Sequence, residues 1–178
     1  MNQFNFTLVT LLIYALESFA SIDTLKTPII NIEIHKVFSC GVGLKLKETK
    51  NINVYAMANG KVISFSDDSN NYTNLGKFVI IEHFVKDSVN KPHYFYTLYS
   101  MLSKVTLNKT GNIKAGESIG EIGPSGPLSK ITNDDILVAA FTLRKDSLIE
   151  LKLNSKSELL HNVYWYDITD LLEKSKKK

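Results

Sequence analysis

Apolar and polar residues alternate in short runs along most of the chain, which is the pattern of half-buried β-strands. Runs of this kind, rich in β-branched or aromatic residues, lie at residues 30–34, 41–49, 53–68, 76–84, 93–102 and 136–144. The stretch VYWYDITDLLEK at 163–174 predicts a closing strand and a short helix. Because there is no long amphipathic helical pattern, we predict an all-β domain, an antiparallel β-sandwich or barrel with a short C-terminal helix.

Turn-forming residues separate these runs. Asn59-Gly60 divides the stretch at 53–68 into two such runs. It predicts a hairpin turn between them, since both residues tolerate positive φ. Clusters of Asp, Ser, Asn and Pro predict loops at 67–74 and 86–92, and Asn133-Asp134-Asp135 predicts a turn into the strand that follows.

The glycine-rich stretch KAGESIGEIGPSG at 114–126 has two interpretations. A phosphate-binding loop would need converging backbone amides at a helix start and a following Gly-Lys-Ser/Thr, which is absent here. Pro124 and Pro127 also remove amide donors. The apolar residues Ile113, Ile119 and Ile122 instead predict two short strands separated by glycine turns.

Composition indicates one globular domain, since 44% of the 178 residues are hydrophobic and 22% are charged. The formal net charge is only +3, and much of it lies in a basic tail at 173–178. A short terminal run of lysines gives no reason to expect nucleic-acid binding. It is compatible with weak attraction to an anionic membrane or wall surface.

The N-terminus resembles a secretory signal peptide over residues 1–20. An apolar run from Phe6 to Leu16 precedes Ser18 and Ala20, which fit the small-residue positions of a cleavage site. No Lys or Arg precedes the run, and Glu17 lies close to the expected cut, so an uncleaved anchor or a buried helix are the alternatives. A run of about eleven residues is too short to span a bilayer. We therefore expect a secreted or periplasmic protein with an N-terminal segment at 21–36.

Cys40 is the only cysteine of the chain. A single cysteine can form no intramolecular disulfide and no Cys-rich metal site. We expect it to be a small buried thiol.

The order of four segments, VYAMANGKVI, GKFVIIEH, FYTLYSMLSKVTLNKTGNIKAGESIGEIGPSG and ILVAAFTLR, resembles the LytM-type domain of the M23 zinc endopeptidases. These enzymes cut cross-bridges in bacterial peptidoglycan. The resemblance covers residues 37–172 and is most specific at 105–126. It implies the duplicated hybrid motif fold, with the glycines of 114–126 at turns between barrel strands.

The resemblance also implies which positions would hold zinc or move protons, and this chain carries other residue types there. The family's His-x-x-x-Asp becomes Ser39 and Gly43, Tyr-x-His-Leu becomes Tyr-Ser-Met-Leu at 99–102, and His-x-His-Phe becomes Val-Ala-Ala-Phe at 138–141. A catalytic zinc needs three protein ligands. The resemblance therefore implies no catalytic residue, no metal ligand and no cofactor.

The remaining titratable residues do not supply a substitute site. The histidines are His35, His83, His93 and His161, and none lies near another at ligand spacing. His83 follows Glu82 in a strand, where neighbours point to opposite faces, so we expect an edge or core histidine. The acidic pairs at 67–68 and 134–135 lie in turn-like sequence, where Asp is common for backbone reasons.

The substituted positions still predict a groove. Strand alternation places Tyr99 and Met101 on one face and Val138 and Ala140 on another. In the implied fold these residues give the former zinc groove an apolar lining, which either fills it or makes it a dry docking site. The predicted binding residues are Ser39, Gly43, Tyr99, Met101, Val138 and Ala140.

The leading hypothesis is a secreted, catalytically inactive LytM-like protein that binds peptidoglycan or a cell-wall hydrolase such as an amidase and regulates wall remodelling. The first alternative is an active zinc metalloendopeptidase with displaced ligands. The second is a biotinyl- or lipoyl-like carrier or a membrane-fusion adaptor. Its characteristic Met-Lys-Met motif and long helical hairpin are missing from the sequence.

Overall fold

The computed structural model describes residues 32–38, 41–46, 52–68, 75–86, 92–132, 136–143 and 163–166. They form an antiparallel β half-barrel, as the alternating pattern predicts. Its strands are β1 (Ile32–Phe38), β2 (Gly41–Leu46), β3 (Asn53–Tyr55), β4 (Gly60–Ser66), β5 (Lys77–Lys86), β6 (Pro92–Val105), β7 (Gly111–Ile113), β8 (Ser118–Ile122), β9 (Ile136–Leu143) and β10 (Val163–Tyr166). A short helix, α1 (Gly126–Thr132), lies between β8 and β9.

The strands follow the order β1-β2-β9-β6-β5-β4-β7, with every pair antiparallel. β10 pairs with β9, while β8 lies between β3 and β6. The longest strand is β6, with 14 residues, and it pairs with β5 along one edge and with β9 and β8 along the other. β6 is therefore the strand that connects β1, β2, β9 and β10 to the rest of the sheet.

A hydrophobic core holds the strands together. Apolar side chains from β3, β4, β5, β6, β7, β8 and β9 form one buried cluster, and burial of such side chains is the main favourable term in folding. Its members are Val54, Ala56, Met57, Val62, Val79, Ile81, Tyr99, Leu102, Val105, Ile113, Ile119, Ile136 and Val138.

The hairpin predicted at Asn59-Gly60 is wrong. β3 pairs with β8, and β4 pairs with β5 and β7, so the two strands flanking this dipeptide are not partners. Gly60 is needed for another reason, because a Cβ there would lie 2.4 Å from the carbonyl oxygen of Glu82. The Asn59 side chain accepts a 2.9 Å hydrogen bond from the Ala115 N–H. The dipeptide allows two backbones to approach closely, which is a tertiary requirement that resembles a turn signal.

The glycine-rich stretch at 114–126 contains one continuous strand, β8, and not the two short strands that the sequence predicts. β7 and β8 are separated by a turn in which Gly116 has a φ of +83°. Gly120, however, lies inside β8 and not in a turn. A Cβ at Gly120 would lie 2.5 Å from the carbonyl oxygen of Lys104 on β6, so the expected turn there is wrong and the residue permits close strand packing.

The ends of the chain are described only in part. The closing strand predicted near residue 163 is confirmed as β10. The signal peptide at 1–20, the short C-terminal helix and the tail at 173–178 lie outside the described residues. The hydropathy pattern did not predict α1. Within the described ranges, no helix has the length and apolar character needed to cross a membrane.

Candidate functional site

Three neighbouring strands bring most of the predicted groove positions to one region of the sheet. β9 lies between β2 and β6. Val138 on β9 is paired with Tyr99 on β6, and the next residue pair joins Leu137 to both Gly43 and Ser100. Ala140 is paired with Thr97 on β6. Ser39 lies outside the described residues.

The side chains at the centre of this region belong to the core. Tyr99, Met101 and Val138 are each 0% exposed. Tyr99 and Val138 are members of the main apolar cluster. A ligand could reach these three side chains only if part of the packed sheet moved away, so their role in binding stays a prediction.

Met101 has an unusual backbone. Its φ is +65°, and among the described residues it is the one non-glycine with a positive φ. Its N–H donates a 2.9 Å hydrogen bond to the carbonyl oxygen of Leu75, and the register of β6 shifts against both β5 and β8 beside it. A left-handed conformation costs an L-residue about 1–2 kcal/mol. Strained residues cluster at functional sites, and this one occupies the position where the resemblance places a histidine.

A buried hydrogen-bond chain runs beside the groove positions. His83 Nδ1 lies 2.9 Å from the carbonyl oxygen of Asn59, and Nε2 lies 2.8 Å from the Thr97 hydroxyl. A carbonyl can only accept, so Nδ1 carries the hydrogen and Nε2 accepts from Thr97. Nearby, the Tyr99 hydroxyl accepts the N–H of Met57 at 3.0 Å.

Burial keeps the side chains of His83 and Tyr99 neutral. Desolvation lowers the pKa of His83 from 6.5 to about 4. It also raises the pKa of Tyr99 to about 12. His83 is 1% exposed and stacks on Phe95 at 4.5 Å, so it is the core histidine that the sequence predicts. Both ring nitrogens of His83 are hydrogen-bonded and the ring is packed in the core.

The hydrogen-bond chain could be predicted from sequence only in part. Alternation placed Thr97 and Tyr99 on one face of a strand, and His83 was recognised as buried. The contact between His83 and Thr97 depends on the register of β5 against β6, where Ile81 is paired with Thr97 and His83 with Phe95. No local signal gives that register.

A zinc ion, which the resemblance would otherwise imply, does not fit the described residues. Gly43 has no side chain, and the buried Met101 and Val138 offer no carboxylate or imidazole. Glu82, adjacent to His83 in sequence, points to the other face and bonds the Tyr96 hydroxyl at 3.1 Å. Across the part of the chain that the structure describes, no three His, Cys, Asp or Glu residues are grouped so that they could hold a metal.

Comparison with known proteins supports the same fold. The model of peptidase family M23 matches residues 39–141. No curated protein sequence matches this chain.

Several solved structures are similar to this chain. A Pseudomonas aeruginosa structure named for peptidase M23 has a TM-score of 0.48 at 22% identity, covering 66% of this chain and 44% of its own. The structure of the SpoIIQ–SpoIIIAH pore-forming complex has a TM-score of 0.49 at 18% identity. The match covers 67% of this chain and 84% of that one. The catalytic domain of the antimicrobial peptidase lysostaphin from Staphylococcus simulans has a TM-score of 0.47 at 18% identity. The match covers 79% of this chain and 83% of that one. This chain thus spans less than half of the Pseudomonas structure.

Proposed function

The chain belongs to peptidase family M23, and from this premise we propose that it is a non-catalytic member of the family. It binds peptidoglycan or a cell-wall hydrolase and thereby regulates wall remodelling. It acts in the periplasm or outside the cell, where both partners are found.

The observation that carries this proposal is the chemistry of the positions that would hold zinc or move protons. They carry Ser39, Gly43, Met101, Val138 and Ala140. Metal-assisted hydrolysis needs ligands that fix the ion and a base that takes a proton from water. Serine is a poor zinc ligand, and the other four residues supply neither function.

Burial is the second support for the proposal. Met101 and Val138 are completely buried, so these substitutions replace polar groups of an open cleft with apolar packing. Such packing stabilises the sheet while removing a site for hydrolysis. The chain keeps the β half-barrel but has no reaction centre in this proposal. Binding is then the activity that the fold can still support.

The first prediction concerns metal content and wall cleavage. We expect the purified chain, after incubation with excess Zn²⁺ and gel filtration, to contain far less than one zinc per molecule by elemental analysis. We also expect it to release no soluble muropeptides from purified peptidoglycan sacculi. An active M23 peptidase in the same buffer, with and without chelator, serves as the control for both measurements.

One zinc per chain together with chelator-sensitive release of muropeptides would overturn the proposal. The alternative of an enzyme with displaced ligands would then be correct. Loss of zinc in His35→Ala, His93→Ala or His161→Ala would identify its ligands, and His83→Gln is the matched control because both ring nitrogens of His83 are already bonded.

A further inference from the structure

Two exposed aromatic rings stand at one end of the β5–β6 hairpin. Phe84 and Tyr94 are each 51% exposed, and among the described residues they are the two large apolar side chains classed as exposed. They face each other in register across the two strands, with ring centroids 5.4 Å apart and planes at 60°. We call this pair, with the neighbouring Glu82, the aromatic platform; Tyr96, which is paired with Glu82, is only 7% exposed and is not part of it.

The platform has a polar edge. Glu82 and Tyr96 are the next register pair on the same face, since alternate residues of a strand share a face. The Tyr96 hydroxyl donates to Glu82 Oε2 at 3.1 Å. A carboxylate has about four lone-pair sites, and Glu82 is only partly buried. Its oxygens therefore remain able to accept hydrogen bonds from a ligand.

The rings are held in place by the core beneath them. His83 and Phe95, which alternate with the platform residues, point to the opposite face and stack at 4.5 Å. His83 is fixed by hydrogen bonds at both ring nitrogens. A surface built on two paired strands is largely ordered before it binds, which reduces the conformational entropy lost on binding.

We propose that the aromatic platform is the surface by which this chain binds the glycan strand of peptidoglycan, an uncharged chain of β-linked N-acetylated hexopyranoses. This inference rests on the proposed function and names the surface and the part of the wall that it contacts. Polarised C–H groups on one face of a pyranose ring are attracted to the electron-rich face of an aromatic ring. Sugar hydroxyls then donate to Glu82.

The size and charge of the platform favour a sugar over a protein or a nucleic acid. A fully buried aromatic side chain contributes about 150–250 Å², so two half-exposed rings offer about 200 Å² in total. A stable protein interface needs roughly 800 Å² from each partner. The Glu82 carboxylate also disfavours anionic ligands. One or two sugar rings match both the area and the polar edge.

The buried state of the former groove also favours the platform as the contact surface. Tyr99, Met101 and Val138 are 0% exposed. The platform lies on the half of β5 and β6 nearest the chain connection at 87–91, and its rings are accessible without rearrangement. A binding protein that has lost its catalytic cleft to packing can thus contact the wall through a surface that is already exposed.

The test is binding of the full purified chain to protein-free peptidoglycan sacculi by co-sedimentation, and to a β-1,4-linked N-acetylglucosamine oligomer by calorimetry. We expect Phe84→Ala/Tyr94→Ala to weaken both interactions at least tenfold. Phe84→Leu/Tyr94→Leu keeps apolar area but removes the ring faces, and we expect the same loss. Lys109→Ala, an exposed change elsewhere, should bind as the unmodified chain does. Urea midpoints verify that each variant is folded.

The outcomes separate this inference from the proposed function. If the unmodified chain binds sacculi and the Ala double variant binds equally well, the platform is wrong while wall binding stands. If the Leu double variant binds as the unmodified chain does, the contact is a general apolar one and the glycan assignment is wrong. If the unmodified chain binds neither probe, both the platform and the wall-binding branch of the proposed function are overturned.

Discussion

At the scale of single residues, burial decides the chemistry of the polar groups near the former groove. His83 lies between a backbone carbonyl and the Thr97 hydroxyl. Both ring nitrogens have hydrogen-bond partners, so the buried ring carries little desolvation penalty while it remains uncharged. Protonation of His83 would place a charge on that buried ring.

This placement predicts a pH-dependent stability. Above pH 6.5 the imidazole is neutral whether the chain is folded or unfolded. Between pH 6.5 and about 4 the unfolded chain binds a proton that the folded chain does not, because burial lowers the pKa of His83 to about 4. The free energy of unfolding should therefore decrease over this window, by at most about 3 kcal/mol.

The measurement is urea unfolding at a series of pH values, with His83→Gln as the comparison. The variant should be less stable at neutral pH, since a buried ring and its packing on Phe95 are lost. It should also lose the part of the pH dependence that His83 supplies. Parallel pH profiles for the two proteins would contradict the assignment of His83 as a buried neutral imidazole.

Met101 gives a second prediction at this scale. Met101→Ala removes a fully buried side chain and should cost about 2–5 kcal/mol. Met101→Gly removes slightly more but relieves the strain of a φ of +65°. We therefore expect the Gly variant to be at least as stable as the Ala variant by urea unfolding. Inside a regular strand, by contrast, a Gly variant is normally less stable than the Ala variant by about 0.5–1 kcal/mol.

If the Ala variant is more stable than the Gly variant by that amount, the left-handed conformation at Met101 is not strained. A neutral effect of Met101→Ala would show that the side chain is not packed in the core. The two variants thus test backbone and burial separately.

At the scale of elements, Asp67 connects three strands. It follows β4 directly, and its Oδ1 accepts the N–H of Val105 on β6 at 3.0 Å and lies 3.1 Å from Nζ of Lys77 on β5. The hydrogen bond from Val105, followed by the contact with Lys77, lowers the pKa of this carboxyl. Asp67 thus serves backbone pairing, as its turn-like sequence predicts.

We expect Asp67→Ala to cost about 1 kcal/mol, because the Val105 N–H loses its acceptor. Asp67→Asn keeps an acceptor and loses only an exposed ion pair, so its cost should be about 0.5 kcal/mol or less and should vanish at high salt. Because the pKa of Asp67 is lower in the folded chain than its ordinary value of 3.8, its carboxylate stabilises the fold at pH values above 3.8. This contribution is lost as the pH falls through the lowered pKa of the folded chain.

Urea unfolding of both variants at neutral pH, in low and high salt, measures these costs. Equal costs for Ala and Asn in low salt would mean that the charge, and not the hydrogen bond to Val105, is what stabilises this junction.

At the scale of the whole molecule, three of the predicted groove residues, Tyr99, Met101 and Val138, lie in the core of the sheet. β2, β9 and β6 still bring Gly43, Val138 and Tyr99 side by side. Apolar side chains at such a junction increase buried area and stabilise the sheet. The proposed loss of the reaction centre is therefore physically compatible with retention of the fold.

The sequence by itself determined most of the strands, the β-strand and turn character of the glycine-rich stretch, and the residue types at the groove positions. These follow from alternation, turn chemistry and side-chain chemistry, all of which act over a few residues. Only the tertiary structure decided that Gly60 and Gly120 serve close backbone approach, that Met101 is left-handed, and that Phe84 and Tyr94 form an exposed pair. Those features depend on which strand lies beside which and in what register, and a local pattern does not contain that information.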